Sequence, residues 1–177
     1  MDQPATASQK PQRQWNNPML SVPDIRPYQN DDARVVADLF HNAVHGIDPS
    51  LYSKAQKEAW APTPPNYSSW QTRLAETQPF IATRDNEIVG FVELEADGHI
   101  DCFYVHPDHQ HKGVAQALFG HLLAAAKRKG ISRLYVEASK VAKPFFRKNG
   151  FVVMSENQVE RRGQVLINFS MERRLVT

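Results

Sequence analysis

The sequence predicts a mixed α+β fold, with a mostly antiparallel sheet of about six to seven strands, one parallel pair of strands and about four helices. Three observations favour this class. Short strand-like runs bounded by turn residues recur along the chain. The strongest helical pattern, residues 114–129, lies between two such runs and predicts a β–α–β crossover. Asp97-Gly98 is a two-residue hairpin signal between apolar runs.

The 177 residues suit one domain preceded by a tail. Residues 1–18 are rich in Gln, Pro, Asn and Ser, which favours disorder. Residues 19–177 are expected to form the single domain.

The first half of this domain is predicted to hold one strand and three helices. Residues 20–26 are strand-like, and apolar residues recur at helical spacing in 31–44. Ser53 resembles the N-cap of a short helix that ends at Trp60. Prolines then break the chain, and residues 67–76 have the composition of another helix.

The second half begins with antiparallel strands. Residues 80–83 and 88–96 alternate as strands around a turn at Asp85-Asn86. Residues 99–105 should pair with the strand before them because Asp97-Gly98 turns the chain. Helix 114–129 should end at Gly130. The remaining elements are a strand at 133–138, a helix at 141–149 and hairpin strands at 151–157 and 165–171.

The crossover predicts that strands 100–105 and 133–138 run parallel, because such connections are right-handed. One parallel pair in an antiparallel sheet is a weak seam. A ligand can enter it above the N-terminus of the crossover helix.

Composition excludes several classes of function. The net charge of +2 and the scattered basic residues give no sign of nucleic-acid binding. No apolar run approaches the roughly 20 residues that span a bilayer, so no membrane role is expected. The single Cys102 cannot form an internal disulfide, which favours a reducing, cytoplasmic compartment. No spacing typical of a metal site is present.

The loop before the crossover helix has the features of a phosphate site. Backbone N–H groups at a helix N-terminus have no intrahelical partners and attract anions. Lys112 adds charge, and Gly113 allows close approach to the backbone. The loop lacks the further glycines of a dinucleotide fingerprint and the Gly-Lys-Ser/Thr ending of a triphosphate loop. Its residues are Gln110, His111, Lys112, Gly113, Val114 and Ala115.

Together with its surroundings, this loop resembles the GNAT superfamily of N-acetyltransferases, which transfer an acyl group from acyl-coenzyme A to an amine. The resemblance covers roughly residues 80–171. It looks closest to small bacterial acetyltransferases of unassigned substrate that carry an Ala-Trp-Ala segment, here Ala59-Trp60-Ala61. The residues that carry the pattern are 100–107, the loop, Ala138-Ser139, Ala142, Phe145-Phe146 and Asn149-Gly150-Phe151.

The resemblance implies acetyl-coenzyme A as co-substrate. The loop amides would hold its pyrophosphate, and the backbone of Phe103, Tyr104 and Val105 would bind the pantetheine arm as an added strand. Ser139, Lys143 and Phe146 would cover its other side, although a solvated Lys is the commoner reading.

Amine acylation needs a base, because an alkyl amine has a pKa of about 10.4. His99 and Asp101 share a strand face and suggest a base with its relay, and Glu93 is a further candidate. Each has a structural alternative: an ion pair for Asp101 and a hairpin start for His99.

Phe146 occupies the position of the family's usual Tyr acid. Either another group supplies the proton, with Tyr104 as the candidate and Tyr135 and Cys102 also near in the sequence, or the thiolate leaves unassisted.

The acceptor pocket is expected among Trp60, Tyr67 and Trp70 in the opening helices, although aromatics at helical spacing are more often core. The turn at Arg161-Arg162 is either a solvated hairpin tip or a border of this pocket that favours an acidic substituent. The acceptor would be a primary amine of a small molecule, peptide or protein. A non-catalytic acyl-coenzyme A sensor is the alternative. The chain would act as a monomer or homodimer.

Overall fold

The computed structural model describes residues 21–176, so the predicted tail lies outside the described residues. Over that range the chain forms two antiparallel sheets and five α-helices, which confirms the predicted fold class. The first sheet has the order β1 (Asp24–Pro27), β2 (Phe80–Arg84), β3 (Glu87–Val92) and β4 (Phe103–Val105). The second has the order β5 (Arg133–Ser139), β7 (Gln164–Arg174) and β6 (Val152–Arg161). The helices are α1 (Ala33–His45), α2 (Lys54–Trp60), α3 (Tyr67–Thr77), α4 (Val114–Arg128) and α5 (Lys143–Lys148).

Local signals fix several element ends as predicted. The Ser53 hydroxyl accepts a hydrogen bond from the Gln56 N–H, and the Gln56 side chain accepts one from the Ser53 N–H in return. Gly130 adopts a φ of +69° just beyond the end of α4. Asp85 and Asn86 both have positive φ in the turn between β2 and β3.

The apolar residues lie on both faces of the first sheet. On one face, Leu118 and Leu122 of α4 pack with Val89 and Leu134. On the other, the core contains residues of α1, α3 and the sheet, namely Val36, Leu39, Leu74, Ile81 and Phe91. The sheet is therefore covered on both sides, which leaves its edge strands as the places where a ligand can approach.

The hairpin at Asp97-Gly98 is less regular than predicted. Regular pairing of β3 with β4 covers only Gly90 to Val92 and Phe103 to Val105. Between them the Glu93 N–H donates to the Cys102 carbonyl and the Glu95 N–H to the His99 carbonyl. Residues 93–102 therefore close the turn without forming a continuous ladder.

The predicted parallel pair is present as one bridge. The Ile100 N–H donates to the Tyr135 carbonyl at 2.9 Å, and the Tyr135 N–H donates to the Gly98 carbonyl at 3.1 Å. Beyond this bridge β4 and β5 belong to different sheets. The seam is thus wider than the sequence indicated, and β4 is an edge strand.

A histidine reinforces the bridge between the sheets. The His99 Nε2 lies 2.6 Å from Glu137 Oε2 on β5, and its Nδ1 lies 3.2 Å from Glu95 Oε2. Burial acts to lower the pKa of His99, but the hydrogen bonds and charges of Glu137 and Glu95 outweigh it, so that its pKa is raised above 6.5. The ring therefore links the two sheets through these two glutamates, which favour its protonated form.

The His99→Gln variant is expected to be destabilised by up to about 1 kcal/mol at about pH 5.5, and by less at about pH 9. A His whose pKa is raised by folding contributes its full stabilisation below its unfolded pKa. That stabilisation is lost as the pH rises through the folded pKa. Urea unfolding of both proteins at the two pH values measures the difference.

The control is His121→Gln, because burial lowers the pKa of His121. In His121→Gln, the loss of stability should therefore be smaller at about pH 5.5 than at about pH 9. An equal loss of stability at both pH values for His99→Gln would contradict the assignment.

Candidate active site

Two adjoining cavities open where the sheets separate. The smaller, of about 260 Å³, is lined by the ends of β5 and β7, including Ser139 and Asn168. The larger, of about 560 Å³, is lined by residues of the opening helices, the proline segment that follows α2, and β4. Both are lined by Trp60, Asp101, Tyr104 and Arg161. These four residues therefore mark the junction of the seam with the larger cavity.

Aromatic rings form much of the wall of the larger cavity. The Phe40 ring lies 4.8 Å from those of Trp70 and Tyr104, and Trp60 lies 6.4 Å from Tyr104. Trp60 and Trp70, two of the residues predicted to form the acceptor pocket, both line this cavity. Tyr67 does not line the cavity, which corrects that prediction. Its hydroxyl donates to Asp38 at 2.7 Å, and its ring packs under Arg34.

Arg73 of α3 organises the charges at the junction. Its Nη2 donates to Glu93 Oε2 at 2.5 Å and its Nε to Glu93 Oε1 at 3.1 Å. The same Nη2 donates to Asp101. The hydrogen bond and charge of Glu93 raise the pKa of Arg73 far above its usual value, although burial opposes this. Arg73 is therefore a fixed cation between two carboxylates.

Glu93 is a structural anion in this arrangement. It is only 1% exposed, and Thr77 also donates to its Oε1 at 3.0 Å. A buried carboxylate needs such partners because desolvation of an unpaired charge is costly. Glu93 lines neither cavity, so the geometry does not support it as the base.

The predicted pairing of His99 with Asp101 is not formed. His99 bonds the two glutamates that flank the sheet bridge, whereas Asp101 bonds Arg73. Across residues 21–176, no hydrogen bond joins the two side chains, and His99 lines neither cavity. Of the three candidate bases, Asp101, whose side chain is 39% exposed, is the one that lines both cavities.

Two protonated groups complete the junction. Burial raises the pKa of the Tyr104 hydroxyl and of the Cys102 thiol well above their ordinary values. Both groups therefore hold their protons at neutral pH. The ligand atoms of Glu93, Asp101 and Cys102 lie within 4.8 Å of one another, a spacing that suits a metal. Arg73 donates to all three, so its guanidinium already supplies the positive charge there.

The loop of residues 110–115 before α4, here called the anion loop, has the geometry of a helix N-terminus with free backbone N–H groups. Gly113 adopts a φ of +83° as the N-cap of α4, and a Cβ there would meet nothing within 4 Å. The first intrahelical bond from this end is made by the Ala117 N–H to the Gly113 carbonyl. The N–H groups of 114–116 precede it and can bind an anion. Arg84 donates to the Lys112 carbonyl at 3.0 Å and holds the loop.

Comparisons with known proteins agree with this geometry. A family model described as an acetyltransferase (GNAT) domain matches residues 49–173. The chain belongs to the GNAT acetyltransferase family.

The similar proteins include one curated relative and two solved structures. The chain is 36% identical over 147 residues to YafP, an uncharacterized N-acetyltransferase of Escherichia coli K12, covering 83% of this chain and 93% of that one. A GCN5-related N-acetyltransferase structure from Rhodopseudomonas palustris is 36% identical, with a TM-score of 0.83, and the match covers 88% of this chain and 98% of that one. The PaiA N-acetyltransferase of Thermoplasma acidophilum, solved with coenzyme A, is 20% identical with a TM-score of 0.69. That match covers 88% of this chain and all of the other, and shows a shared fold.

In this GNAT domain, Phe146 is a core residue. It is 2% exposed and packs 5.0 Å from Phe151, 5.5 Å from Phe145 and 5.8 Å from Phe103, between ring centroids. Its ring has almost no surface left for a pantetheine arm, so its burial does not support the predicted contact of Phe146 with the coenzyme.

Of the two other predicted contacts, Ser139 lines the smaller cavity, and its Oγ accepts a hydrogen bond from the Ala142 N–H at 3.1 Å. Lys143 lines neither cavity, and its Nζ lies 3.6 Å from the centre of the Phe169 ring.

Sequence reasoning missed Arg73 of this GNAT site. Arg73 follows Trp70 by three residues and precedes Thr77 by four, so the three share one helix face. That spacing was a usable signal.

Tyr52 has a structural role beside the site. Its hydroxyl donates to the Ile167 carbonyl at 2.6 Å and accepts from the Lys140 N–H at 3.0 Å. It joins β7 to the end of β5 beside the smaller cavity.

The Arg73→Met variant is expected to lose about 2–3 kcal/mol of stability because it leaves Glu93 buried without its cation. A fully buried pair would cost about 3–5 kcal/mol, and the 37% exposure of Arg73 reduces this. The double variant Arg73→Met with Glu93→Gln should recover part of the loss. Denaturant unfolding of the two single variants, Arg73→Met and Glu93→Gln, and of the double variant measures this coupling. If the loss of stability in the double variant equals the sum of the two single losses, the pairing is contradicted.

Proposed function

We propose that this GNAT domain transfers an acetyl group from acetyl-coenzyme A to a primary amine of a small molecule or peptide, by direct attack on the thioester. One observation carries the proposal. The anion loop at the start of α4 and the edge strand β4 flank the same seam, and that seam leads to Asp101 and Tyr104.

The donor would lie along the seam. Its pyrophosphate fits the N–H groups that begin α4, with the loop from Gln110 to Ala115 around it. The pantetheine arm would run beside Phe103, Tyr104 and Val105, because an edge strand offers backbone groups to an added strand. Ser139 would face the arm from β5.

The reaction then needs two proton movements. The amine nitrogen attacks the thioester carbon, the N–C bond forms and the C–S bond breaks, giving an amide and the coenzyme A thiol. From the neutral amine, one proton leaves the nitrogen and one joins the sulfur; an amine that enters as its ammonium first gives a further proton to the base. Asp101 is the best-placed base because it faces both cavities. The protonated Tyr104 at the same junction is the donor to sulfur.

The Gly113→Ala variant is expected to bind acetyl-coenzyme A roughly tenfold more weakly, because a methyl group and a less favourable φ there oppose close approach of the pyrophosphate. The control is Gly130→Ala at the other end of α4, where φ is also positive and the surroundings are equally open. Titration calorimetry with acetyl-coenzyme A measures both. Absence of binding by the unmodified protein at millimolar ligand would reject the proposal.

The Asp101→Asn variant is expected to lower kcat by about 100-fold or more while acetyl-coenzyme A still binds. Glu156→Gln is the matched control, an exposed carboxylate of β6 outside both cavities. Thiol release over a panel of amines is the measurement. An unchanged kcat would remove Asp101 from the mechanism.

One observation favours the alternative of a non-catalytic acyl-coenzyme A sensor. A buried Phe146 stands at the position of the family's usual Tyr acid. The two functions separate in the same assay, since a sensor binds acetyl-coenzyme A and releases no thiol with any amine.

A further inference from the structure

We infer that the acceptor is a small primary alkyl amine that also carries an aromatic ring and a carboxylate, with its carboxylate held by Arg161 and its amine beside Asp101. The inference rests on the proposed acetyl transfer and names the class of substrate for the same site. Three features of the larger cavity support it: its walls, its uncompensated positive charge and the position of its negative charge.

The walls of the larger cavity suit a flat apolar body. Its volume of about 560 Å³ lies within the range of roughly 300–1,000 Å³ typical of small-molecule sites. Four aromatic rings and three prolines line part of it, beside polar and charged side chains; the apolar part consists of Phe40, Trp60, Trp70, Tyr104, Pro62, Pro64 and Pro65. Aromatic side chains pack favourably against another ring in tilted or offset geometries.

The positive charge of the cavity lies on the β6–β7 turn. Arg161 lines both cavities, and Arg162 lines the larger one. Arg162 donates to the Ala59 carbonyl at 2.7 Å, which anchors the turn against the end of α2. Within the described range, neither guanidinium forms a salt bridge with a carboxylate. A planar guanidinium beside a cavity is suited to bind a carboxylate through two parallel hydrogen bonds.

The negative charge lies on Asp101. One guanidinium, that of Arg73, faces the two carboxylates of Glu93 and Asp101. The single positive charge of Arg73 balances one of these two negative charges. The other is available to a ligand at Asp101, because Asp101 lines the cavity and Glu93 does not. A ligand with an ammonium and a carboxylate would be oriented by both charges, with the ammonium delivered to the base.

The test uses pairs of amines that differ only by the carboxylate: phenylalanine with 2-phenylethylamine, and tryptophan with tryptamine. Thiol release from acetyl-coenzyme A gives kcat/KM for each. We expect the carboxylated member to be preferred by about 10- to 100-fold, the value of one charge-assisted contact. In Arg161→Gln this ratio should fall to near one, mainly through a higher KM for the carboxylated amine. Arg161→Lys should recover part of it.

The matched control is Arg174→Gln, an exposed arginine at the opposite end of the same hairpin, which should keep the ratio. A preference for the amines without a carboxylate, or an unchanged ratio in Arg161→Gln, overturns the inference while acetyl transfer stands. The absence of both turnover and acetyl-coenzyme A binding overturns the proposed function, and this inference with it.

Discussion

Two backbone hydrogen bonds around Tyr135 hold the two sheets together at one end and allow them to separate at the other. Had the parallel pairing continued, β4 and β5 would have satisfied each other's backbone groups, and no cavity would lie between them. Because it stops, Asp101 and Tyr104 lie just beyond the last bond and face the opening. At the other end of the opening, the Tyr52 hydroxyl hydrogen-bonds both the Ile167 carbonyl of β7 and the N–H of Lys140, the residue that follows β5. The opening is therefore bounded at both ends.

The electrostatics of the site follow from one buried carboxylate. Glu93 has to be paired because it is removed from water, and Arg73 pairs it from a helix on the cavity side. The same guanidinium also donates to Asp101, so the proposed base is held by a side chain that at the same time pairs the buried Glu93. This arrangement limits the movement of Asp101, while its exposed part remains open to the cavity.

Features that depend on local sequence were predictable, and those that depend on distant contacts were not. The capping of α2 by Ser53, the end of α4 at Gly130 and the loop before α4 follow from residues close together in the chain. The supposed relay of His99 and Asp101 assumed regular alternation, but the regular ladder begins only at Phe103. Arg73 contacts residues that are 20 to 29 positions away in the sequence. The helical spacing could therefore predict which face of α3 carries Arg73, but not which residues it contacts.

The turn between β6 and β7 has a consequence for how this protein can be changed. Both of its arginines are exposed, and the turn is held to α2 by Arg162, which donates to the Ala59 carbonyl, and by Gln56, which donates to the Val165 carbonyl just beyond the turn. The loop proposed to hold the coenzyme lies on a different element, at the start of α4. If the proposed function holds, the donor and the acceptor are bound by separate elements. Changes of sequence in the β6–β7 turn would then alter the choice of amine and leave the coenzyme loop unchanged.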